Sequence, residues 1–501
     1  MQKGSQKTIA IFGASGYIGL TLTDNLYKQG HSLKLFIRDK TRIEYMKGSE
    51  TFDIYDTPLL IENTHTIAKN LYGVDVIYYL IHSMETRNND FSKKDNEVAS
   101  IVGKAASIAN IKQIIYVGGL GSSNITHALS KHLLSRHITA NHLRLSGVSV
   151  TEFRTGIVCG AGSSSFEIIR TLSTKLPFIP SIPFNKGLCQ IIDIQDLIEY
   201  LILALDNKVF YGKIIELGTK RAYTYNELIT IHAEVIKQKK IKVISLPFID
   251  KIFNEHVISY MVTLLTKIPY KIARPLIEGM KSLAIIDKYP IENVIKPNPV
   301  KETSYTESII NASTYRYESA FEIFWKIPLD LQFYLKKSNR KTFSQYNRHG
   351  LRFSTLIEPI STSKKIDYFE NAKDLIKKSQ FKQPFWYQLF NKLLDNIFQR
   401  EKLNSSSSTL TLSEGSACKD WRVNAIFESE EQSYITISSQ FKGTGFLWFQ
   451  ISMHTMQNKN TFIMIRIFFE PISIKGHMYW NITKKFHKKL LHEVFNNINV
   501  T

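Results

Sequence analysis

Cysteine and long apolar runs are both scarce in this chain. Its 501 residues include three cysteines, Cys159, Cys189 and Cys418, which lie far apart in sequence. Widely spaced cysteines are typical neither of a disulfide framework nor of a zinc site, so we expect no structural disulfide and no metal. No stretch reaches the roughly 18 uninterrupted apolar residues of a membrane-spanning helix, and the first residues lack the apolar core of a signal peptide. We therefore expect a cytoplasmic protein without a transmembrane segment.

Acidic residues are few relative to basic ones. Lysine and arginine total 64 against 44 aspartate and glutamate residues, which gives a net charge of +20. Such a charge favours contact with nucleic acid or with an anionic membrane surface. The lysines are scattered, however, and short clusters such as Lys237-Gln238-Lys239-Lys240 are typical of solvated surfaces. We expect no specific nucleic-acid partner, while peripheral membrane contact and the oligomeric state stay open.

A glycine-rich turn stands near the start of the chain. The apolar run Ile9–Phe12 predicts a short buried strand, and Gly13, Gly16 and Gly19 follow it at equal spacing before a run of helical periodicity. Strand, glycine turn and helix in this order are typical of a site that binds the phosphates of a dinucleotide. The N–H groups and the positive end of the helix would face the pyrophosphate. The predicted cofactor contacts are Gly13, Ala14, Ser15, Gly16, Tyr17, Ile18 and Gly19.

The second predicted strand, Leu33–Ile37, ends at Arg38. In dinucleotide-binding folds the end of this strand meets the adenosine ribose, where an acidic residue suits a free 2′-hydroxyl and an arginine suits a 2′-phosphate. Arg38 comes first and Asp39 second, so we predict NADP(H) in preference to NAD(H). The alternative is a structural strand–helix–strand turn that binds no cofactor.

Later strands add candidates at their carboxyl ends. Asp56 follows a short third strand, and His82 and Ser83 follow Val74–Ile81, a β-branched and aromatic run that is typical of a central parallel strand. Ligands of open α/β sheets bind outside the carboxyl ends of the strands. We therefore expect Asp56, His82 and Ser83 to contact cofactor or substrate. A polar strand end that binds nothing is the alternative for His82 and Ser83.

Strands and helices alternate through the first 160 residues or so. Predicted helices at 90–109 and 128–146 alternate with predicted strands at 113–117 and 148–154. Repeated right-handed crossovers of this kind predict an α/β fold, a Rossmann-type doubly wound parallel sheet.

Five stretches of the first half are distinctive. They are Gly-Ala-Ser-Gly-Tyr-Ile-Gly (13–19), Tyr-Leu-Ile-His-Ser-Met (79–84), Val-Gly-Gly-Leu-Gly (117–121), Arg-Thr-Gly-Ile-Val (154–158) and Gln-Ile-Ile-Asp-Ile-Gln-Asp (190–196). Together they resemble the atypical short-chain dehydrogenases/reductases of the NmrA-like and triphenylmethane-reductase-like kind. The resemblance covers residues 8 to about 220. It implies a Rossmann fold with bound NADP(H) and does not fix a substrate.

The proton-transfer pair of classical members of that family is missing. Those members carry a Tyr with a Lys four residues later, whose charge lowers the pKa of the Tyr, whereas none of the 24 tyrosines here has Lys at that spacing. The corresponding helix instead carries His132 and Arg136, with Ser130 just before them. We predict His132 as general acid, Arg136 as support for negative charge or a cofactor phosphate, and Ser130 as an orienting group. The alternatives are a solvated helix face, or hydride transfer by geometry alone.

The last third of the chain predicts a different fold. Four alternating segments between 421 and 469 predict an antiparallel meander, and a long helix over about 481–497 closes the chain. The order of helix, sheet and long helix resembles the START-like, helix-grip fold. Further stretches resemble an uncharacterised domain that follows such reductases in bacterial two-domain proteins; they are Asp420-Trp421-Arg422-Val423, Pro471, Gly476, Tyr479-Trp480 and His487. The resemblance implies a cavity, commonly apolar, between sheet and helix.

The predicted domains are therefore a Rossmann domain with substrate-side embellishment (1–285), a linker or embellishment (286–350) and a START-like domain (351–501). We predict an NADP(H)-dependent oxidoreductase that acts on an apolar carbonyl, quinone or lipid-like substrate, which the second domain would bind or present. Two alternatives stay open. One is a non-catalytic NADPH-binding redox sensor or assembly factor, which the missing Tyr and Lys favour. The other is a carrier of hydrophobic ligands whose Rossmann domain is structural.

Overall fold

The structure is a computed structural model, and the residues it describes are 6–37, 51–81, 91–121, 130–176, 178–181, 187–237, 242–245, 255–266, 270–280, 283–312, 342–346, 352–377, 401–402, 416–418, 421–428, 432–439, 441–442, 445–455, 461–471 and 474–499. The chain divides into two compact units. The first comprises residues 1–173 and 177–326, and the second comprises 174–176 and 327–501.

The first unit is organised around a seven-stranded parallel sheet. The strands of the first 250 residues are β1 (Thr8–Phe12), β2 (Ser32–Phe36), β3 (Asp53–Tyr55), β4 (Val76–Tyr79), β5 (Gln113–Gly119), β6 (Ser149–Thr155), β7 (Ile157–Cys159), β8 (Ile179–Ser181), β9 (Leu188–Cys189), β10 (Ile191–Asp193), β11 (Ile214–Leu217), β12 (Tyr223–Thr224) and β13 (Val243–Ser245). The main sheet has the order β3-β2-β1-β4-β5-β6-β11, and every neighbouring pair is parallel. The order reverses at β1, as in a doubly wound Rossmann-like α/β fold.

Helices cover both faces of this sheet. They are α1 (Tyr17–Lys28), α2 (Thr64–Asn70), α3 (Phe91–Ile108), α4 (Lys131–Arg144), α5 (Ser164–Lys175), α6 (Ile194–Leu203), α7 (Tyr225–Lys237), α8 (Glu255–Thr266) and α9 (Tyr270–Gly279). Short 3-10 turns lie at Ile61–Asn63, Lys208–Phe210 and Ile291–Asn293, and residues 305–312 are helical. Side chains from α1 and α6 join the core on one face, and side chains from α2, α3 and α4 join the core on the other. This two-sided burial explains the near-continuous apolar character of the strands.

Three acidic or amide side chains hold a later segment against the first unit. A carboxylate oxygen of Glu216 accepts hydrogen bonds from the consecutive backbone N–H groups of residues 287, 288 and 289, at 2.8, 2.9 and 3.1 Å. Asp196 accepts from the backbone N and the hydroxyl of Thr303 at 2.8 and 2.7 Å, and Gln190 accepts from the backbone of Ile286. Gln190, Asp196 and Glu216 together therefore fix where residues 286–303 run.

The second unit contains a seven-stranded antiparallel sheet. The strands of the second unit are β14 (Thr342–Tyr346), β15 (Arg352–Ile360), β16 (Glu401–Lys402), β17 (Ala417–Cys418), β18 (Trp421–Glu428), β19 (Gln432–Ser439), β20 (Phe441–Lys442), β21 (Gly445–Thr455) and β22 (Thr461–Pro471), and its helices are α10 (Lys365–Lys377) and α11 (Ile474–Asn499). Strands β16 and β20 pair with each other outside the seven-stranded sheet. The sheet has the order β14-β15-β22-β21-β19-β18-β17, so the antiparallel meander predicted over 421–469 is present.

Helix α11 packs on one face of that sheet. Phe469 of β22 stacks on Trp480 of α11, with ring centroids 5.8 Å apart, and the buried aliphatic side chains of β19, β21 and β22 complete an apolar layer. Period-two alternation in β22 places Ile463, Ile465, Ile467 and Phe469 in this layer, while Phe462 and Met464 belong to a separate cluster. The imidazole of His487 lies in the same layer, 4.6 Å from the Trp480 ring and 2.9 Å from the Ser354 hydroxyl.

Candidate functional site

The glycine-rich turn lies between the carboxyl ends of β1, β2 and β4. Gly13 has a φ of +88°, and a Cβ there would lie 2.9 Å from the backbone carbonyl of Leu80. Its N–H donates to the carbonyl of Phe36 at 3.1 Å. A left-handed backbone conformation and this close approach both require glycine. The turn is thus tied to the two strands that flank β1.

Gly16 and Gly19 have different roles in the same turn. Gly16 is the N-cap of α1 with an extended backbone, it is exposed, and a Cβ there would meet only the Gly13 oxygen, at 3.2 Å. At Gly19, by contrast, a Cβ would lie 2.3 Å from that oxygen, so α1 packs directly on the turn. An exposed helix N-terminus without side chains in front of it is a cradle for an anion. This geometry fits the pyrophosphate of a dinucleotide.

The other predicted residues of the turn differ in how far they are buried. Ala14 is fully buried, and Ser15 and Ile18 are half-buried. The half-buried Tyr17 reaches the loop after β7, where its hydroxyl lies so close to Gly160 that a Cβ on that residue would be 2.0 Å from it. Tyr17 therefore connects the glycine-rich turn to the loop that leads into α5.

Of the four cofactor contacts predicted farther along the chain, Asp56 lies within the described residues. The other three, Arg38, His82 and Ser83, lie outside them. Their neighbours Ile37 and Ile81 follow β2 and β4, the two strands that flank β1. Asp56 is exposed and follows β3, two strands away from β1 at the same edge of the sheet. The structure therefore brings the carboxyl ends of β1 to β4 to one edge and leaves the contacts of these side chains as predictions.

Arg136, one of the three predicted catalytic residues, is partly buried and lies against the end of the sheet. Its Nε is buried and, within the described part of the chain, has no hydrogen-bond partner. A Cβ on Gly119, the last residue of β5, would lie 3.1 Å from the Arg136 Cδ. Burial lowers the pKa of the Arg136 guanidinium, and the Tyr116 hydroxyl donates to the Arg136 carbonyl at 3.1 Å. Arg136 thus lies at the carboxyl end of β5, not on a solvated helix face.

The other two residues of that prediction stand at the start of α4. The Ser130 hydroxyl is the helix cap and accepts from the backbone N–H of Leu133 at 3.3 Å. A serine in this position stabilises the first turn of a helix, so Ser130 has a structural role whatever its part in chemistry. Of His132 only the backbone is described, and its predicted role as general acid stays a prediction.

Sequence reasoning missed a buried ionic cluster beneath α4. Glu152, in the middle of β6, is fully buried and pairs with Arg154 at 2.8 Å and with Arg144. His137 donates to the carbonyl of Gly119 at 3.2 Å, and its pKa is lowered by burial and then by the charge of Arg154. Glu152 and Arg154, at i and i+2 of one strand, are the signal that could have indicated part of the cluster, because residues at that spacing lie on the same face of a sheet.

An apolar cleft lies between α5, α7 and α9 of the first unit. Its cavity volume is about 20 Å³, which is room for about one water molecule, and it is lined by Ser165, Ile168, Ile169, Leu172, Tyr225, Ile229, Leu276, Ile277 and Met280. The lining is largely apolar, and any larger ligand would require the three helices to move apart.

Within the described residues, no helix combines the length and the hydropathy that are needed to cross a membrane. In the same part of the chain, no group of three or more His, Cys, Asp and Glu side chains is arranged to hold a metal ion. Cys159 and Cys189 are buried free thiols, and burial raises the pKa of both.

Comparisons with known proteins extend this description. Among solved structures, the NADPH-dependent quinone oxidoreductase of Escherichia coli in complex with NADPH is 17% identical over 60% of this chain and 98% of its own, with a TM-score of 0.47. The triphenylmethane reductase of Citrobacter sp. with NADP(H) is 16% identical over 61% of this chain and 99% of its own, also with a TM-score of 0.47. The enzyme WbmH of Bordetella bronchiseptica with NAD+ is 16% identical over 62% of this chain and 99% of its own, with a TM-score of 0.45.

Curated proteins yielded no significant match. The model of the NmrA-like family matches residues 5–308, which is more than half of the 501 residues and takes in the glycine-rich turn, the whole parallel sheet and the segment that Asp196 and Glu216 hold. The chain belongs to the NmrA-like family.

Proposed function

We propose that the protein is a cytoplasmic NADP(H)-binding oxidoreductase that acts on an apolar carbonyl, quinone or lipid-like substrate. The observation that carries the proposal is the glycine-rich turn. It combines a left-handed Gly13, an exposed Gly16 at the N-cap of α1 and a Gly19 packed on the turn, at the carboxyl edge of a sheet whose order reverses at β1. These features support dinucleotide binding because they leave the backbone and the positive helix end open to a pyrophosphate.

Each part of the cofactor has a candidate partner in this chain. The backbone of residues 13–19 would hold the pyrophosphate, and Arg38 would pair with the 2′-phosphate that distinguishes NADP(H) from NAD(H). Asp56, His82 and Ser83 would contact cofactor or substrate at the same edge. A nicotinamide ring supplies or accepts hydride when it is bound. Arg136, at the end of β5, would stabilise the negative charge that develops on a substrate oxygen, and His132 would donate the proton.

The apolar lining between α5, α7 and α9 is what supports the substrate class, and the helices would have to move apart to admit a substrate. This lining comes from α5, which follows the loop that Tyr17 contacts, and from α7 and α9. Aliphatic side chains dominate this lining, so a substrate would be held by burial of apolar surface, with few directional contacts. A flat, hydrophobic electrophile such as a quinone satisfies these conditions better than a sugar does.

The second unit would bind or present that substrate. We infer a START-like helix-grip domain over 351–501 because a long C-terminal helix packs on an antiparallel sheet through an apolar layer. In this proposal the layer between α11 and the sheet opens to accept an apolar ligand. The carrier alternative uses the same layer and needs no chemistry in the first unit.

A second candidate function is non-catalytic binding of NADPH, as in a redox sensor or an assembly factor. The observation that favours it is the engagement of Ser130 as a helix cap together with the absence of Tyr-x-x-x-Lys. Under this alternative the cofactor changes which conformation or partner the protein favours, and no substrate is turned over.

A titration of the purified full chain with NADPH and with NADH tests the proposal. The informative variant is Gly16→Asp, because aspartate is a favourable N-cap and a Cβ there would meet only the Gly13 oxygen, in a tight contact of 3.2 Å that the control variant shares. The new carboxylate would repel the pyrophosphate and weaken NADPH binding at least about hundredfold. Gly16→Asn is the matched control, since it has the same shape without the charge and should bind more tightly than the aspartate variant.

The outcomes separate the candidates. Tight NADPH binding that Gly16→Asp removes, followed by NADPH oxidation with a hydrophobic quinone, supports the oxidoreductase. Tight binding without turnover of any apolar electrophile favours the sensor. If neither nucleotide binds the wild-type chain, the central proposal fails and the second unit is where function should be sought.

A further inference from the structure

We propose that Asp95 is a positioning residue for the proposed reaction, and that its buried carboxylate holds the Arg136 guanidinium at the carboxyl ends of β4 and β5. The inference deepens the proposed function and rests on it. Three observations carry it: the inward face of α3 on which Asp95 lies, the register in which α3 and α4 pack on each other, and two tyrosines between these helices and the sheet.

Asp95 lies on the inward face of α3. It is 8% exposed, and the residues three, four and seven positions later, Val98, Ala99 and Val102, belong to the apolar core on the same face of the sheet. That spacing places the four side chains in one stripe of the helix. A carboxylate is seldom buried in such a stripe unless a positive charge compensates it. The position of Asp95 therefore favours a cation close by.

Helices α3 and α4 pack on each other in a defined register. They run in the same direction, because each follows a strand of the parallel sheet. The Ser100 hydroxyl of α3 lies 2.9 Å from Nδ1 of His142, which is 42 positions later. A Cβ on Gly103 would lie 3.1 Å from the Cβ of Ser146 and 3.6 Å from the carbonyl oxygen of Leu143. Residues about 42 positions apart therefore lie at the same height along this pair of helices.

The same register brings Asp95 level with Arg136, which is 41 positions later. Both residues lie in the second turn of their helices, since α3 begins at Phe91 and α4 begins at Lys131. Arg136 also faces inward, because the residues three, four and seven positions later are buried; they are Thr139, Ala140 and Leu143. The carboxylate and the guanidinium thus lie on facing inner sides of two packed helices, at the carboxyl edge of the sheet.

Two tyrosines lie between these helices and the sheet. Tyr79 and Tyr116 are opposite each other in the ladder of β4 and β5, with ring centroids 5.9 Å apart, and both are fully buried. Burial raises the pKa of both phenols, and the charge of Asp95 adds to that rise. Burial lowers the pKa of the Arg136 guanidinium, and the charges of Tyr116 and then Asp95 oppose this effect. Asp95 therefore acts on β4, β5 and Arg136 at once.

The carboxylate determines on which side of β5 the guanidinium lies. A Cβ on Gly119 would be 3.1 Å from Cδ and 3.9 Å from Nε of Arg136, so the missing side chain lets the arginine lie across the end of β5. A long charged side chain otherwise favours rotamers that reach water. Asp95 attracts it toward β4, which borders β1 where the strand order reverses and where such sheets bind their ligands. The positive charge is thereby in place before a substrate oxygen becomes negative.

Turnover by the full chain tests the positioning role. Oxidation of NADPH with menadione as the quinone gives kcat and KM. Asp95→Asn keeps the size of the side chain and removes its charge, so kcat should fall at least about tenfold while the KM for NADPH stays within about twofold. Asp95→Glu keeps the charge and should recover part of kcat. The matched control is Glu97→Gln, an exposed acid on the same helix, which should keep the wild-type kcat and KM.

Urea unfolding tests the charge pair without any turnover. The variants are Asp95→Asn, Arg136→Leu and the double variant that carries both changes. Each single variant removes one of two buried charges, whereas the double variant removes both. We expect the double variant to lose less stability than the two single losses added together. Additive losses would overturn the inference, because the two side chains would then not interact.

The outcomes separate this inference from the proposed function. An Asp95→Asn chain with the wild-type kcat, or a Glu97→Gln chain that loses as much activity, would remove the positioning role and leave the oxidoreductase standing. A wild-type chain that oxidises no NADPH, together with non-additive unfolding, would overturn the proposed function and the positioning role. The pair of Asp95 and Arg136 would then belong to the fold alone.

Discussion

Gly19 lies against the carbonyl oxygen of Gly13 so closely that a Cβ at residue 19 would be 2.3 Å from that oxygen and 2.8 Å from the Cα of Ala14. Both contacts are with backbone, which has no rotamer to change. The first turn of α1 can therefore pack on the end of β1 only while residue 19 has no side chain.

Gly19→Ala should accordingly destabilise the first unit by about 1–3 kcal/mol, the usual cost of overpacking, and should weaken dinucleotide binding by displacing α1. Urea unfolding and an NADPH titration measure the two effects. Gly279→Ala is the matched control, since nothing lies within 4 Å of a Cβ there. A Gly19→Ala chain as stable as wild type would show that the turn relaxes freely.

Much of the first unit could be predicted because local pattern and long-range packing agree there. The glycine turn, α1 and the strand order follow from the apolar runs and from the glycines at which those runs end. The edges of elements were less predictable. The apolar run Val74–Ile81 indicates eight strand residues, whereas β4 pairs with both β1 and β5 only over Val76–Tyr79.

Contacts between distant segments could not be predicted. Nothing near Glu216 in sequence shows that its carboxylate binds three N–H groups some seventy residues later, and nothing near Glu152 shows that Arg144, at the end of α4, joins Arg154 in pairing with it. The same limit applies to Arg136. Its i, i+4 spacing with His132 indicates a shared helix face, but only the structure shows that this side chain lies against Gly119.

Arg38→Ala should weaken the binding of NADPH and leave the binding of NADH unchanged. If Arg38 pairs with the 2′-phosphate, the variant loses charge-assisted hydrogen bonds, and NADPH should bind about ten- to hundredfold more weakly. NADH, which has a free 2′-hydroxyl, should bind as it does to the wild-type chain and serves as the internal control. Parallel titrations by calorimetry measure both. An equal loss for the two nucleotides would instead indicate that Arg38 supports the fold.

Arg136→Leu should show whether the Arg136 side chain acts in catalysis or only in the stability of the fold. The buried Nε has no hydrogen-bond partner among the described residues, but the guanidinium interacts with the charge of the buried Asp95, so an apolar side chain leaves that carboxylate without a compensating charge. We expect a loss of stability, unchanged NADPH affinity, and turnover of a quinone reduced at least about tenfold in the folded variant. Arg136→Lys is the partner variant, since it keeps the charge and should retain more activity. A variant that is unstable but fully active would assign Arg136 to the fold.

Glu152→Gln should lower the free energy of unfolding of the first unit. The substitution preserves shape but leaves Arg144 and Arg154 without a carboxylate beneath α4, and breaking a buried ion pair costs about 3–5 kcal/mol. Chemical unfolding of the first unit measures the loss. Asp24→Asn is the control, because Asp24 and Lys28 form an exposed i,i+4 pair, which is worth well under about 1 kcal/mol. Equal effects in the two variants would mean that Arg144 and Arg154 are solvated without their partner.

The second unit should lose stability on mild acidification. Burial lowers the pKa of His487 to about 3 and also that of His454 to about 3, the latter with help from Arg466 and Lys365. In the unfolded chain both would titrate near 6.5. Below that pH the unfolded state binds protons that the folded state does not, so stability is complete above pH 6.5 and falls as the pH drops toward 3. Each histidine contributes a slope of about 1.4 kcal/mol per pH unit.

Tryptophan fluorescence can follow this loss, because four of the five tryptophans lie in the second unit and Trp480 contacts His487 directly. His487→Gln removes one of the two titrating groups and keeps a side chain able to bond to Ser354, so the pH slope of its unfolding free energy should be about half that of wild type. His65→Gln, on the exposed side of α2, should keep the wild-type slope. A slope that is the same in both variants would mean that His487 is already accessible to protons in the folded chain.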